Sequence, residues 1–397
     1  MTIQSDVIKD SKVVVVHHEY IPVGPGYDIL EYLNDKAISK VLFIAHPLKE
    51  FQGIKSHYEY YERGELQKKK VAFHWRLPMP MLYIKDVIYT IIWVISLRDK
   101  FDLFVGLDPL NAFAGLLLRS LGKCNKVAFY TIDYFTKRFE NPIMNKIYHF
   151  LDKICVRNVD ETWNISPVMA DAREEYNKMD KTIYDRQYVV PISVHFNKVK
   201  RKPFNKINKK KLIFTGVLVP FMGIDMVLDA MPELIKRIPK IKLKILGSGP
   251  AESALQQQVK ELKITKHVKF HGWITKRKDL DRILSDGAIG IAPFNPKLLN
   301  DEIKNADPAK LKDYMLLGMP IIVSNAISTT DEIKENKCGI VISYNQKEFI
   351  NAVVKLLTNE KLLLAYRKNA LIFVEQFDYN NIYGKSFKRI LSKNGKN

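Results

Sequence analysis

The chain has 397 residues, 47% of them hydrophobic and 27% charged, and its 63 Lys+Arg against 43 Asp+Glu give a net charge of +20. That length exceeds one ordinary domain, and the apolar content excludes a disordered or low-complexity polymer. The three cysteines (Cys124, Cys155 and Cys338) are too widely spaced for a disulfide framework or a metal-ligand set and fit a reducing compartment.

In chain order, short β-forming runs alternate with helical periodicity. Strands are predicted at 12–18, 41–45, 71–75, 103–106, 127–132 and 161–165, with helices over 109–121 and 142–155. Such alternation specifies a parallel, doubly wound sheet. No secretory signal is legible near the polar N-terminus. The longest apolar segment, 87–97, lies between Lys85-Asp86 and Arg98-Asp99-Lys100 and is too short to span a bilayer. A core helix is expected there, with a membrane-surface helix as the alternative. The run from Lys198 to Lys211 is rich in lysine and reads as a solvated linker.

The same rhythm then restarts. Strands are predicted at 212–215, 242–246, 268–270, 288–292, 321–323 and 340–342, with helices over 222–238, 251–262, 277–284, 308–317, 346–357, 360–375 and 380–391. The expected fold class is therefore α/β, with two facing Rossmann-like domains. Their expected bounds are 1–196 and 197–376, and 377–397 is a C-terminal helix returning toward the first. Ligands in open α/β sheets bind beyond the carboxyl ends of the strands. Two facing sheets imply one ligand on each, which suits a two-substrate transferase. The first 196 residues contribute +2 of the net charge and the remainder +18. A polyanion, an anionic membrane or a nucleotide would all answer that surplus. The aromatic-basic interleaving of an RNA-binding module is missing, so a nucleic-acid partner is not expected.

The most telling segment is the helix predicted at 308–317. Asp307 is a good N-cap residue, Pro308 suits the first helical position, Gly318 ends the helix and Pro320 prevents its resumption. A helix N-terminus attracts anions. Lys310 stands beside it, and Asp313 follows three residues later on a neighbouring face. Phosphates at the tip and ribose hydroxyls on the carboxylate would suit a nucleoside diphosphate. A solvated Lys–Asp pair is the plain alternative.

Several segments resemble GT-B glycosyltransferases of the family 4 type. The run from Phe214 through Gly216 to Asp225 looks like the strand–loop–helix opening that family's donor domain. Leu246-Gly247-Ser248-Gly249-Pro250 resembles the next strand end, and Phe270-His271-Gly272-Trp273 resembles the base-contacting loop. Asp313-Tyr314-Met315 before Gly318-Met319-Pro320 resembles the ribose-binding segment, and Val190-Pro191-Ile192-Ser193-Val194 the interdomain hinge. The match covers most of 190–375. It implies donor contacts from Gly216, His271, Gly272, Pro308, Lys310 and Asp313. The chain departs from the family pattern at Val217 and Met222, where an arginine and a lysine commonly hold the diphosphate. It also departs at Asn305 and Asp313, where paired glutamates are usual. These departures motivate an alternative: a scaffold subunit that binds nucleotide sugars without turnover.

Asp133 ends a strand of the first domain. It can serve as general base in an inverting transfer, orient a substrate in a retaining one, or simply cap a turn. Arg138 and Asn141 share its loop and can hold an acceptor or pin the loop. Gly24 and Gly26 follow the first strand and suit backbone contact with a sugar or acceptor, or a plain tight turn. Neither Gly24-Pro25-Gly26 nor Gly247-Ser248-Gly249 completes a dinucleotide fingerprint. His17 and His18 end the first strand. The loop from Phe294 to Asn305 is expected over the donor sugar. No resident cofactor and no protein metal site is expected; a divalent ion, if used, would travel with the donor diphosphate. The expected protein is a cytoplasmic sugar transferase. Its donor is a nucleotide-diphosphate sugar, its acceptor is a saccharide or lipid-linked saccharide, and a lipid-linked acceptor would bring peripheral contact with the inner face of the membrane.

Overall fold

A computed structural model describes residues 8–19, 24–48, 55–73, 77–179, 185–299 and 307–392. The chain divides into two compact units, Met1–Ser193 with Tyr379–Asn397, and Val194–Asp378.

The first unit is built on β1 (Lys12–Glu19), β2 (Lys40–Pro47), β3 (His57–Glu62), β4 (Glu65–Val71), β5 (Phe101–Leu107), β6 (Cys124–Thr131), β7 (Glu161–Asn164) and β8 (Gln187–Val189). Their order is β4-β3-β2-β1-β5-β6-β7-β8. Pairing is parallel except along the hairpin β3–β4 and its junction with β2. Among the described residues, five helices connect the strands: α1 (Pro25–Asp35), α2 (Met79–Ser96), α3 (Pro109–Ser120), α4 (Pro142–Asn158) and α5 (Val168–Asn177). The strands from Val13 to Val16 and from Leu42 to Ile44 are wholly buried, as a sheet covered on both faces requires.

Two expectations fail here. The strand predicted at 71–75 is instead the end of the hairpin β3–β4, and 74–76 lie outside the described residues. The segment 87–97 is no core helix. It belongs to the 18-residue α2, in which only Asp86, Thr90, Trp93 and Val94 are buried.

The second unit contains β9 (Lys211–Thr215), β10 (Lys242–Leu246), β11 (Val268–Phe270), β12 (Ile289–Ala292), β13 (Ile321–Ser324) and β14 (Gly339–Ile342). The described pairings between its strands are all parallel, in the order β11-β10-β9-β12-β13-β14. The order reverses between β9 and β12, which places the ligand-binding crevice of such a sheet at their carboxyl ends. Its helices are α6 (Ile224–Arg237), α7 (Glu252–Glu261), α8 (Arg277–Leu284), α9 (Ala309–Leu316), α10 (Thr330–Glu335), α11 (Gln346–Leu357) and α12 (Glu360–Glu375).

The last described helix, α13 (Tyr379–Ser392), belongs to the first unit. Tyr379, Tyr383, Phe387 and Ile390 enter the core formed by Val13, Val15, Tyr32 and Trp163. Arg389 also reaches the buried Glu161 carboxylate at 2.8 Å.

Candidate functional site

In the second unit the loops after β9, β10 and β11 stack through backbone bonds. Gly216 N–H donates to Leu246 O (3.0 Å), Leu218 N–H to Ser248 O (3.0 Å) and Gly247 N–H to Gly272 O (2.8 Å). Gly247 has φ +138°, and a Cβ there would lie 1.9 Å from Gly216 O, so only glycine permits this approach. Tyr314 on α9 accepts from the Thr215 N–H at 2.7 Å and fixes the helix under the end of β9.

Lys310, in the first turn of α9, is brought to Gly216. A Cβ on Gly216 would come within 2.9 Å of its Nζ. The ammonium lies 4.8 Å from the Phe214 ring centre and 5.0 Å from that of Phe294, and it donates to Met222 Sδ at 3.0 Å. Phe214 belongs to β9 and Phe294 follows β12, so the cation stands at the switch point of the sheet. Among the described residues no carboxylate pairs with it. Burial lowers its pKa to about 7. Aromatic faces and a sulfur are weak substitutes for a counter-charge, so the site is electrostatically prepared for an anion.

Asp313 lies on the same helix and is held by Arg277 Nη1 at 2.8 Å, while Arg277 Nε also reaches Asp281 at 2.8 Å. The sequence reading did not find Arg277, which is 36 residues away on α8. His271 is anchored by its N–H on Ile245 O (2.9 Å), and its buried Nε2 has no hydrogen-bond partner among the described residues. Burial and then Lys244 lower its pKa, so the ring is neutral. Gly272, at φ +66°, turns the chain immediately after it.

The expected cap of α9 is corrected. Pro308, not Asp307, occupies the N-cap position, and no side chain caps the helix. Asp307 pairs instead with Lys312, whose ammonium sits 4.1 Å from the Phe377 ring centre. Lys312 faces inward, and a buried ammonium requires a counter-charge more than the helix end requires a cap. Of the loop expected over the donor sugar, residues 300–305 lie outside the described residues; Phe294 is buried beneath Lys310.

In the first unit, Asp133 follows β6 and is exposed. Surrounding protein raises its pKa, with Arg138 opposing. Arg138 is stacked at 5.1 Å over Phe135 and 5.4 Å over Tyr148, and its backbone N–H donates to Asn145 Oδ1 at 2.8 Å. Asn141 caps α4 by accepting from Ile143 and Met144 N–H. Gly24, at φ +108°, precedes α1 with open space around it. Gly26 has a packing reason: a Cβ there would come within 2.8 Å of the His17 ring. His17 and His18 point to opposite faces of β1. His17 packs against Tyr27 and Phe43, where burial and then His18 lower its pKa to about 3.

His18 belongs to a polar network that sequence reasoning missed. Its Nδ1 lies 2.6 Å from Asp108 and its Nε2 lies 3.3 Å from Asp86. Asp86 also meets Lys85 at 2.7 Å and His46 at 3.3 Å. Asp108 caps α3 through the Asn111 N–H (2.8 Å) at φ 153°, a conformation costly for a residue with a Cβ. Burial opposes the charge on His18, yet Asp108 and Asp86 raise its pKa from 6.5 to about 9. The raised value means that this stabilisation is complete below pH 6.5 and is lost as pH rises through about 9. His18→Gln should therefore lower the melting temperature at pH 6, by roughly 3 kcal/mol of stability, and flatten its fall between pH 6.5 and 9. Melting curves across that range test it.

Residues 196–372 match the family model described as glycosyl transferases, group 1. An uncharacterized glycosyltransferase of Haemophilus influenzae is 23% identical over 209 residues, 51% of this chain and 56% of that protein. A GDP-mannose-dependent alpha-(1-6)-phosphatidylinositol monomannoside mannosyltransferase of Mycolicibacterium smegmatis is 25% identical over 138 residues, 34% of this chain and 35% of that protein. The chain thus matches about half or less of the length of these relatives. In three dimensions, an Anabaena protein solved with UDP-glucose superposes with a TM-score of 0.68 at 14% identity, covering 97% of this chain and all of that one. The fold, two Rossmann-like α/β domains, is that of the GT-B class.

Proposed function

We propose, on the premise that residues 196–372 form a group 1 glycosyltransferase domain, that this chain transfers a sugar from a nucleotide-diphosphate sugar to a saccharide or lipid-linked acceptor. The observation that carries the reading is Lys310, a half-buried ammonium with no described carboxylate partner, set against Gly216 at the sheet's switch point. The diphosphate binds Lys310 and the backbone around Gly216 and Pro308. The ribose hydroxyls share Asp313 with Arg277, and the base lies against His271 and Gly272. Lys310 thereby supplies charge that Val217 and Met222 do not, and this disfavours the scaffold alternative. The UDP-glucose held by the Anabaena protein supports the ligand class.

The acceptor meets the first unit near Asp133 and Arg138, with Gly24 and Gly26 shaping the loop after β1. Asp133 takes the acceptor hydroxyl's proton if the transfer inverts, and orients the hydroxyl if it retains. Among the described residues no cluster of His, Cys, Asp or Glu could hold a metal ion, and any divalent ion would be carried by the diphosphate. Assignment to family 4 and a cytoplasmic setting, at the membrane's inner face for a lipid-linked acceptor, belong to the same proposal.

A thermal-shift screen of nucleotide sugars, with and without magnesium, tests it. A ligand at about 100 times its dissociation constant adds roughly 2.7 kcal/mol, a rise of several degrees. No shift with any nucleotide sugar would overturn the reading.

A further inference from the structure

The first unit carries an apolar surface that its cores do not use. α2 presents Met81, Ile84, Ile88, Ile92 and Ile95 to solvent, three or four residues apart along one face. α4 presents Ile143, Ile147 and Phe150 in the same manner. A contiguous exposed stripe of this kind marks an interaction surface. A groove of about 370 Å³ runs along the two helices. Its walls include Ile84, Val87, Ile88, Phe113, Ile147 and Leu151, and it also reaches His18, Asp108 and Arg138. Ile84, Ile88 and Ile147 belong to wall and stripe alike, so the groove opens onto the exposed face.

Charge indicates the occupant. The only carboxylates on these helices, Asp86 and Asp152, are buried and paired. Lys146 and Arg157 are exposed on α4, and Glu140, just before α4, is neutralised by Lys137 at 2.7 Å. An apolar stripe rimmed by cations, with no exposed carboxylate on either helix, is complementary to anionic lipid.

We propose that this face docks on an anionic bilayer and that the groove receives the hydrocarbon chain of a lipid from that bilayer. α2 is long and apolar enough to cross a membrane by length and composition. It lies on the surface because crossing would strip Asp86 of His18, His46 and Lys85. Together with the transfer reaction proposed above, the site makes the acceptor lipid-linked, with its polar head at the His18–Arg138 end. That last step rests on the transfer reading; docking on lipid does not.

Flotation of the chain with vesicles of equal parts phosphatidylglycerol and phosphatidylcholine reads docking without reference to activity. We expect binding to the mixed vesicles and little to phosphatidylcholine alone. Lys146→Ala should lower the partition coefficient about fivefold, and Ile88→Glu with Ile147→Glu at least tenfold. Melting temperature and nucleotide-sugar binding should be retained, which separates loss of docking from loss of the fold or of the donor site. Ile143→Ser with Phe150→Ser repeats the test on α4 alone. For the groove, native mass spectrometry of protein recovered from the vesicles should show one retained lipid. Leu151→Trp, which fills the groove, should remove that lipid and leave flotation intact. Absence of flotation, flotation that survives both double variants, or a dimer that the same variants dissociate would overturn the docking surface. Absence of retained lipid on the wild-type chain would overturn the groove.

Discussion

Lys310→Ala is expected to weaken nucleotide-sugar binding roughly 10- to 100-fold, the range for losing a charge-assisted hydrogen bond to an anion. A second signature separates this from general damage. The free ammonium has a pKa of about 7, and a bound diphosphate favours its charged form. Binding therefore takes up a proton above pH 7. The wild-type dissociation constant should rise as pH increases beyond that point, by up to about tenfold per unit. The alanine variant should lack this slope, and Lys310→Arg, which does not titrate in the range, should restore affinity without restoring the slope. Calorimetry between pH 6 and 9 gives both quantities. Unchanged affinity in the alanine variant would remove Lys310 from the phosphate site. Gly216→Ala should mimic the loss, because its Cβ would fall 2.9 Å from Nζ on a backbone at φ +138°.

The second large effect is at Asp133. Asp133→Asn is expected to lower transfer by roughly 10²- to 10⁴-fold, the range for a positioned general base, while donor affinity is unchanged. Its pKa is shifted upward from that of a free aspartate, so wild-type activity should climb with pH through the shifted value. Steady-state rates and donor titrations on the same preparations separate the two effects. An asparagine variant with normal turnover excludes the base role and leaves Asp133 as a loop residue.

Much of this molecule was readable along the chain, for local reasons. Val13–Val16 and Ile321–Val323 are uninterrupted apolar runs, as buried parallel strands demand, and the structure places strands there. Gly318 and Pro320 mark the end of α9 correctly. The hairpin was hidden because β4 is exposed along its whole length and carries Lys68, Lys69 and Lys70. It forms the edge of the sheet, where lysines discourage further pairing and no apolar alternation is needed. The exposure of α2 was hidden for the opposite reason. A helix rich in apolar residues on most sides resembles a core element until its surroundings are known.

Site residues divide in the same way. Lys310 and Asp313 lie within one helical turn, and their relation is a matter of spacing. His18, Asp86 and Asp108 are 68 and 90 residues apart, and only the strand order that sets β1 beside β5 joins them. Asp307 shows that even a local inference can lose to packing. Its sequence position suits a cap, yet Lys312 on the inner face of the helix claims it.

The placement of α13 bears on how this polypeptide is made. Residues 1–193 leave the ribosome well before Tyr383 and Phe387, which complete their interior. Until α13 has been made, that half has an unfilled slot beside Tyr32 and Trp163, apolar surface of the kind that invites aggregation. Val194–Asp378 is contiguous and can close first, so maturation would run against the direction of translation. A gene fragment encoding only the opening half should yield insoluble material, and supplying the missing helix as a separate peptide should rescue it.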